Sequence, residues 1–133
     1  MNNIFVYCEV TEERTIADVS LELLSKGKKL AGDLNVKLEA VVIGHKVSGL
    51  EPLLYPYGVD VIHYADDERL FPYTTLPHTS IMLDLFEKEK PEIALFGATS
   101  IGRDIAPRVA SALRCGLTAD CTSLEIGDHF ENK

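Results

Sequence analysis

Residues 91–126 read P-E-I-A-L-F-G-A-T-S-I-G-R-D-I-A-P-R-V-A-S-A-L-R-C-G-L-T-A-D-C-T-S-L-E-I, and the fold follows from how this stretch divides. Residues 93–96 are apolar without interruption, the pattern of a strand covered on both faces of a parallel sheet. Gly97, Ala98, Thr99, Ser100 and Gly102 keep side chains small where the backbone turns out of the sheet, so a ligand can approach their amides. The helix expected next puts Ile105, Val109, Ala112 and Leu113 on one stripe and turns Arg103, Arg108 and Arg114 elsewhere. Gly116 is expected to cap it, with a fifth strand inside 117–126.

Upstream, residues 4–10 (I-F-V-Y-C-E-V) have the β-branched and aromatic content of a central first strand, with Glu9 near its carboxyl end. The connection over 11–15 has no glycine, which excludes the G-x-G-x-x-G dinucleotide fingerprint after a first strand. Val19, Leu23, Leu24, Leu30, Ala31 and Leu34 then recur at helical spacing, in a helix weakened at Gly27 and ended by Asn35. Residues 38–44 give a second strand, 48–54 a short helix, Pro56-Tyr57-Gly58 a turn, and 59–65 an alternating third strand nearer an edge. Residues 66–77 form a long irregular loop with exposed-looking Leu70, Phe71 and Tyr73. A helix over 79–90 faces Ile81, Leu85 and Phe86 inward and stops at Pro91. The β-α alternation predicts an α/β domain with a doubly wound, mainly parallel sheet of about five strands and helices on both faces. The domain is expected over 1–126, with 127–133 starting a truncated hairpin or linker.

At 133 residues and 46% hydrophobic content, one domain with a real core is expected. A net charge of −8 argues against a nucleic-acid or anionic-membrane surface, since both call for basic excess. Yet three of the five arginines fall between Arg103 and Arg114, a local concentration that calls for an anion, a partner or an acidic neighbour. Cys8, Cys115 and Cys121 form no C-x-x-C pair, and His45, His63, His78 and His129 lack metal-ligand spacing, so no metal site is assigned. No signal, presequence or membrane-length apolar run is read, which points to a cytoplasmic protein without membrane insertion.

The turn at Gly97–Asp104 lies where open α/β sheets bind ligands, at the carboxyl end of a central strand. Thr99, Ser100, Gly102 and Arg103 could together hold a phosphate or carboxylate, although the absence of G-K-[ST] excludes a P-loop. The competing reading is structural: Asp104 pairs with Arg103 or Arg108, and the hydroxyls satisfy the turn. The helix start stays open between Asp104 as cap, with Pro107 in the first turn, and Ser100 as cap, with Pro107 interior. No nucleophile, base and orienting group assemble, so no catalytic residue is assigned; Asp120, Cys121 and Thr122 are read as packing.

The run F-G-A-T-S-I-G-R-D-I-A-P-R-V-A-S-A-L followed by G-L-T-A-D-C-T-S-L-E-I resembles the N-terminal domain of the electron transfer flavoprotein alpha subunit. Tyr57-Gly58-Val59-Asp60, Asp66-Asp67 and Lys90-Pro91-Glu92-Ile93 follow the family's order, so the likeness spans essentially the whole chain. The resemblance implies an adenine-nucleotide-hydrolase-like domain that pairs with a beta subunit and supports FAD-mediated electron transfer from dehydrogenases such as acyl-CoA dehydrogenases. It implies that FAD is held in the complete heterodimer through a C-terminal domain absent from these 133 residues. AMP or a second FAD is expected on the beta subunit. Phe71, Arg103 and Arg108 become candidate partner contacts. The chain would then be an electron-carrier subunit rather than a catalyst. A universal-stress-type nucleotide-binding domain and a ligand-free interaction module are the alternatives.

Overall fold

The first strand, β1 (Ile4–Cys8), is buried along its whole length. An uninterrupted apolar run has no side chain suited to water, so both faces must be covered. In the computed structural model, which describes residues 3–113, 116–119 and 123–127, β1 lies in the middle of a six-stranded sheet. The other elements in chain order are α1 (Asp18–Leu34), β2 (Leu38–Gly44), α2 (Glu51–Leu54), β3 (Val61–Asp66), α3 (Thr75–Glu89), β4 (Ile93–Gly97), α4 (Ser100–Leu113), β5 (Gly116–Ala119) and β6 (Ser123–Gly127). The strand order is β3-β2-β1-β4-β6-β5.

β1 pairs parallel with β2 and β4, and β2 pairs parallel with β3, giving the doubly wound core that the alternating pattern predicts. The expected fifth strand is instead two strands, β5 and β6, which pair antiparallel to each other, with β6 antiparallel to β4. Only three residues separate Ala119 from Ser123, too few for the crossover that parallel pairing needs. Gly116 accordingly opens β5 rather than capping the helix. The register sets Gly127 opposite Ile93, and Ile93 opposite Ile4. The turn expected after Gly127 and the Asp120-Cys121-Thr122 cluster lie outside the described residues.

The period of two along β1 divides the core. Ile4, Val6 and Cys8 meet Leu23, Leu24 and Ala31 of α1 on one face, whereas Phe5 and Tyr7 meet Met82 and Phe86 of α3 and Ile105 and Val109 of α4 on the other. Each such side chain removed from water contributes roughly 1.5–3 kcal/mol, so the two clusters bear most of the fold's stability. Gly27 in α1 turns out to be a close-approach residue: a Cβ there would lie 2.9 Å from Leu38 Cδ1 and 3.1 Å from Val6 Cγ2. Asn35 ends α1 in the left-handed conformation at φ 57°, as its position predicts.

Three further expectations need correction. The third helix starts at Thr75, four residues before the expected start, and buries His78, Met82 and Phe86, while Ile81 and Leu85 stay half-buried. Leu70 is buried, and Phe71 and Tyr73 are half-buried, because a 3-10 turn at Glu68–Leu70 folds this loop onto its own sheet. Ala112 is exposed: Gly102, Ala106 and Ala110 let α4 approach closely along a stripe with Ile105 and Val109, which rolls residue 112 outward.

Candidate functional site

The strand order reverses between β1 and β4, so the crevice beyond their carboxyl ends is where an open α/β sheet exposes a ligand position. A cavity of about 420 Å³ opens there, lined by Tyr7, Glu9, Ile43, Phe71, His78 and Ile101 among others. Its base is rigid for a local reason. The Glu9 amide donates to the Ser20 hydroxyl at 2.7 Å and the Glu9 carbonyl accepts from the Ala17 amide at 2.8 Å, so the end of β1 is laced to the start of α1.

Thr99 decides how α4 begins. Its hydroxyl accepts from the Gly102 amide at 3.0 Å and its carbonyl accepts from the Arg103 amide at 2.8 Å, making Thr99 the helix cap. The helix therefore starts one residue before the earlier of the two expected starts. Pro107 is interior, and Asp104 is not a cap. The same Thr99 hydroxyl donates to Glu9 Oε2 at 2.8 Å. A carboxylate of this chain thus faces the amino end of α4, where the backbone amides favour negative charge. Glu9 is 8% exposed, and burial raises its pKa above the ordinary glutamate value, partly offset by the Thr99 bond.

Of the residues assigned to an anion site, Thr99 and Gly102 are brought together by that capping bond, whereas Ser100 and Arg103 point to solvent. Arg103 makes no side-chain hydrogen bond or ion pair among the described residues. Arg108 is exposed and pairs with Asp104 at 3.3 Å. Asp104 also accepts from Tyr73 at 2.7 Å and from Thr75 at 2.6 Å, which holds its carboxyl below the usual carboxylate range. These bonds tie the Phe71 loop and the start of α3 to α4.

On the inner wall the Tyr7 hydroxyl lies 2.7 Å from His78 Nδ1, and His78 Nε2 lies 2.9 Å from the Leu70 carbonyl oxygen. A carbonyl only accepts, so Nε2 carries the proton and Nδ1 accepts from Tyr7. Burial pushes the Tyr7 pKa up and the His78 pKa down, keeping both neutral. Burial likewise pushes the Cys8 thiol up to about 12, which makes it an inert core group.

Spacing along the sequence gives no hint of a second cluster. Glu39 of β2, His63 of β3 and Glu89 at the end of α3 bring their ligating atoms within 4.8 Å of one another. Glu39 was legible only as one acid inside the apolar run L-E-A-V-V-I-G.

The electron transfer flavoprotein domain matches residues 4–132. The chain belongs to the electron transfer flavoprotein family. It is 44% identical over 123 residues to the electron transfer flavoprotein subunit alpha of Clostridium acetobutylicum, covering 92% of this chain and 36% of that protein. It is 43% identical to the acryloyl-CoA reductase electron transfer subunit beta of Anaerotignum propionicum, over 93% of this chain and 34% of that one. It is 41% identical to the protein FixB of Rhizobium meliloti, over 93% and 36%. The chain thus spans about a third of the length of these relatives. The alpha-subunit resemblance read from residues 96–126 agrees with the family match and with the relative named subunit alpha. Among the described residues no helix is long and apolar enough to cross a membrane.

Proposed function

We propose that this chain is the α/β scaffold of an electron transfer flavoprotein alpha subunit, pairing with a beta-type subunit to support FAD-mediated electron transfer from a dehydrogenase of the acyl-CoA class. The carrying observation is the family match over residues 4–132, with relatives named for the alpha subunit at over 40% identity. The geometry supports a scaffold role: Thr99 and Gly102 satisfy each other, and Glu9 presents a carboxylate where a bound phosphate would need positive potential. In this reading the chain is an electron-carrier component without catalytic residues. FAD is held only in the complete assembly, and AMP or a second FAD sits on the beta subunit. Arg103, Arg108 and Phe71 contact the partner.

Co-expression with a beta subunit of the same family tests the reading. The chain alone is expected to be colourless and the co-purified pair stable. Arg103→Glu, at an exposed position without an ion-pair partner among the described residues, is expected to weaken the pair about tenfold or more if Arg103 meets a desolvated acid. Stoichiometric flavin on the isolated chain, or no pairing at all, overturns the proposal.

The crevice of about 420 Å³ at the sheet's reversal point favours a second reading, a free-standing adenine-nucleotide-binding domain. Saturable AMP binding by the chain alone supports that reading over the first.

A further inference from the structure

Glu39, the second residue of β2, is 3% exposed in a strand that is otherwise apolar. A carboxylate there is costly unless each oxygen has a partner. Both do: Oε2 accepts from Asn3 Nδ2 at 2.6 Å, and Oε1 lies 2.5 Å from His63 Nε2. The sheet register brings this about. Val41 stands opposite His63 and Glu39 opposite Val61, so Glu39 and His63 share the face that packs against α3. Phe5 flanks the imidazole, with ring centroids 5.5 Å apart. The last residue of α3, Glu89, adds a second carboxylate from the solvent side.

We propose that Glu39, His63 and Glu89 bind a first-row divalent cation of the zinc class. Two carboxylates converge on one imidazole with ligating atoms within 4.8 Å of one another, and a cation binding there takes the place of the hydrogen that Glu39 and His63 share. The mixed nitrogen and oxygen donors suit Zn²⁺ and its neighbours, whereas Mg²⁺ prefers oxygen ligands and retains its waters. Ligands sharing one zinc stand roughly 3.4 Å apart given metal–ligand distances near 2.1 Å, so His63 Nε2 draws back from Glu39 by about 1 Å. A half-exposed ring on the edge strand β3 can do this by side-chain rotation. The cation then replaces the hydrogen between the two groups, and the imidazole carries its proton on Nδ1. Asn3 orients the Glu39 carboxylate from behind, as outer-shell donors do at metal centres. The exposed side at Glu89 leaves a position for water.

The test is calorimetric titration of ZnCl₂, and separately MgCl₂, into the metal-stripped 133-residue chain. One equivalent of zinc with a dissociation constant in the micromolar range is expected, with no heat from magnesium. His63→Ala and Glu89→Gln are each expected to weaken zinc by about tenfold or more, and Asn3→Ala by about tenfold. Glu89 is exposed, so its variant stays folded and remains a valid test. Nitrogen-15 spectra of labelled histidine supply a second readout: the resonance lost in His63→Ala is expected to shift on zinc addition. No saturable binding below about 1 mM, or equal binding by the His63→Ala/Glu89→Gln double variant, overturns the proposal and in the latter case assigns the metal to other groups such as thiols.

Discussion

Gly102 packs so tightly against Gly97 that a Cβ at residue 102 would lie 1.7 Å from the Gly97 carbonyl oxygen. The obstacle is backbone at the end of β4 and cannot rotate away. Gly102→Ala is therefore expected to destabilise the chain by about 2–4 kcal/mol, because the first turn of α4 must lift off the strand. Urea denaturation checks this, with Ser100→Ala as a neighbouring exposed control expected within about 0.5 kcal/mol of the parent.

Tyr7→Phe removes the only donor seen for His78 Nδ1 among the described residues and leaves that nitrogen buried without a partner. A loss of about 1–3 kcal/mol is expected by chemical denaturation. His78→Phe gives up both bonds at once, the one to the Leu70 carbonyl included, so local hydrogen exchange at residues 68–73 is expected to rise.

The pH dependence of stability carries two opposite contributions. The His78 pKa is lowered in the folded state, so the unfolded chain binds the proton more readily. Its contribution is intact above the ordinary histidine value of about 6.5 and is lost as pH falls from there to the folded value. The Glu9 pKa is raised, so the folded chain holds that proton more tightly and the ionised form weighs against folding. Glu9→Gln keeps an acceptor for Thr99 and is expected to be more stable than the parent near pH 7, with the gap closing as pH falls towards about 4. Denaturation midpoints of the parent, Glu9→Gln and His78→Phe across this range separate the two.

Asp104→Ala cuts the bonds from Tyr73 and Thr75 that hold the Phe71 loop against α4. The expected result is faster amide exchange at residues 71–76 with little change in the exchange of β1 or β4. Because the Asp104 pKa is lowered in the folded state, the same loosening is expected in the parent protein as pH falls through the ordinary carboxylate value of about 3.9 towards the lower folded one.

What could be read in advance follows from which interactions are local. β2 matches its expected bounds at Leu38–Gly44, and β4 extends the expected run by one residue, since an unbroken apolar run is legible from neighbours alone. Asn35 as a left-handed terminator is equally local. The start of α4 is not legible from neighbours alone because the Thr99 hydroxyl that caps it is oriented by Glu9, 90 positions away in sequence. The 66–77 stretch reads as loop from sequence because its anchors, Asp104 and His78, lie on two different helices. The Glu39, His63 and Glu89 cluster is assembled by strand register and a helix end, neither of which any spacing rule encodes.

The register of β6 also fixes the polarity of the molecule. Gly127 stands beside Ile93, and Ile93 beside Ile4, so Ile4 and Gly127 both lie at the pole away from the crevice. A fluorophore or cross-linker attached beside Ile4 is therefore anchored on the far side. The mouth between Glu9 and Phe71 stays open to whatever approaches it in an immobilised assay.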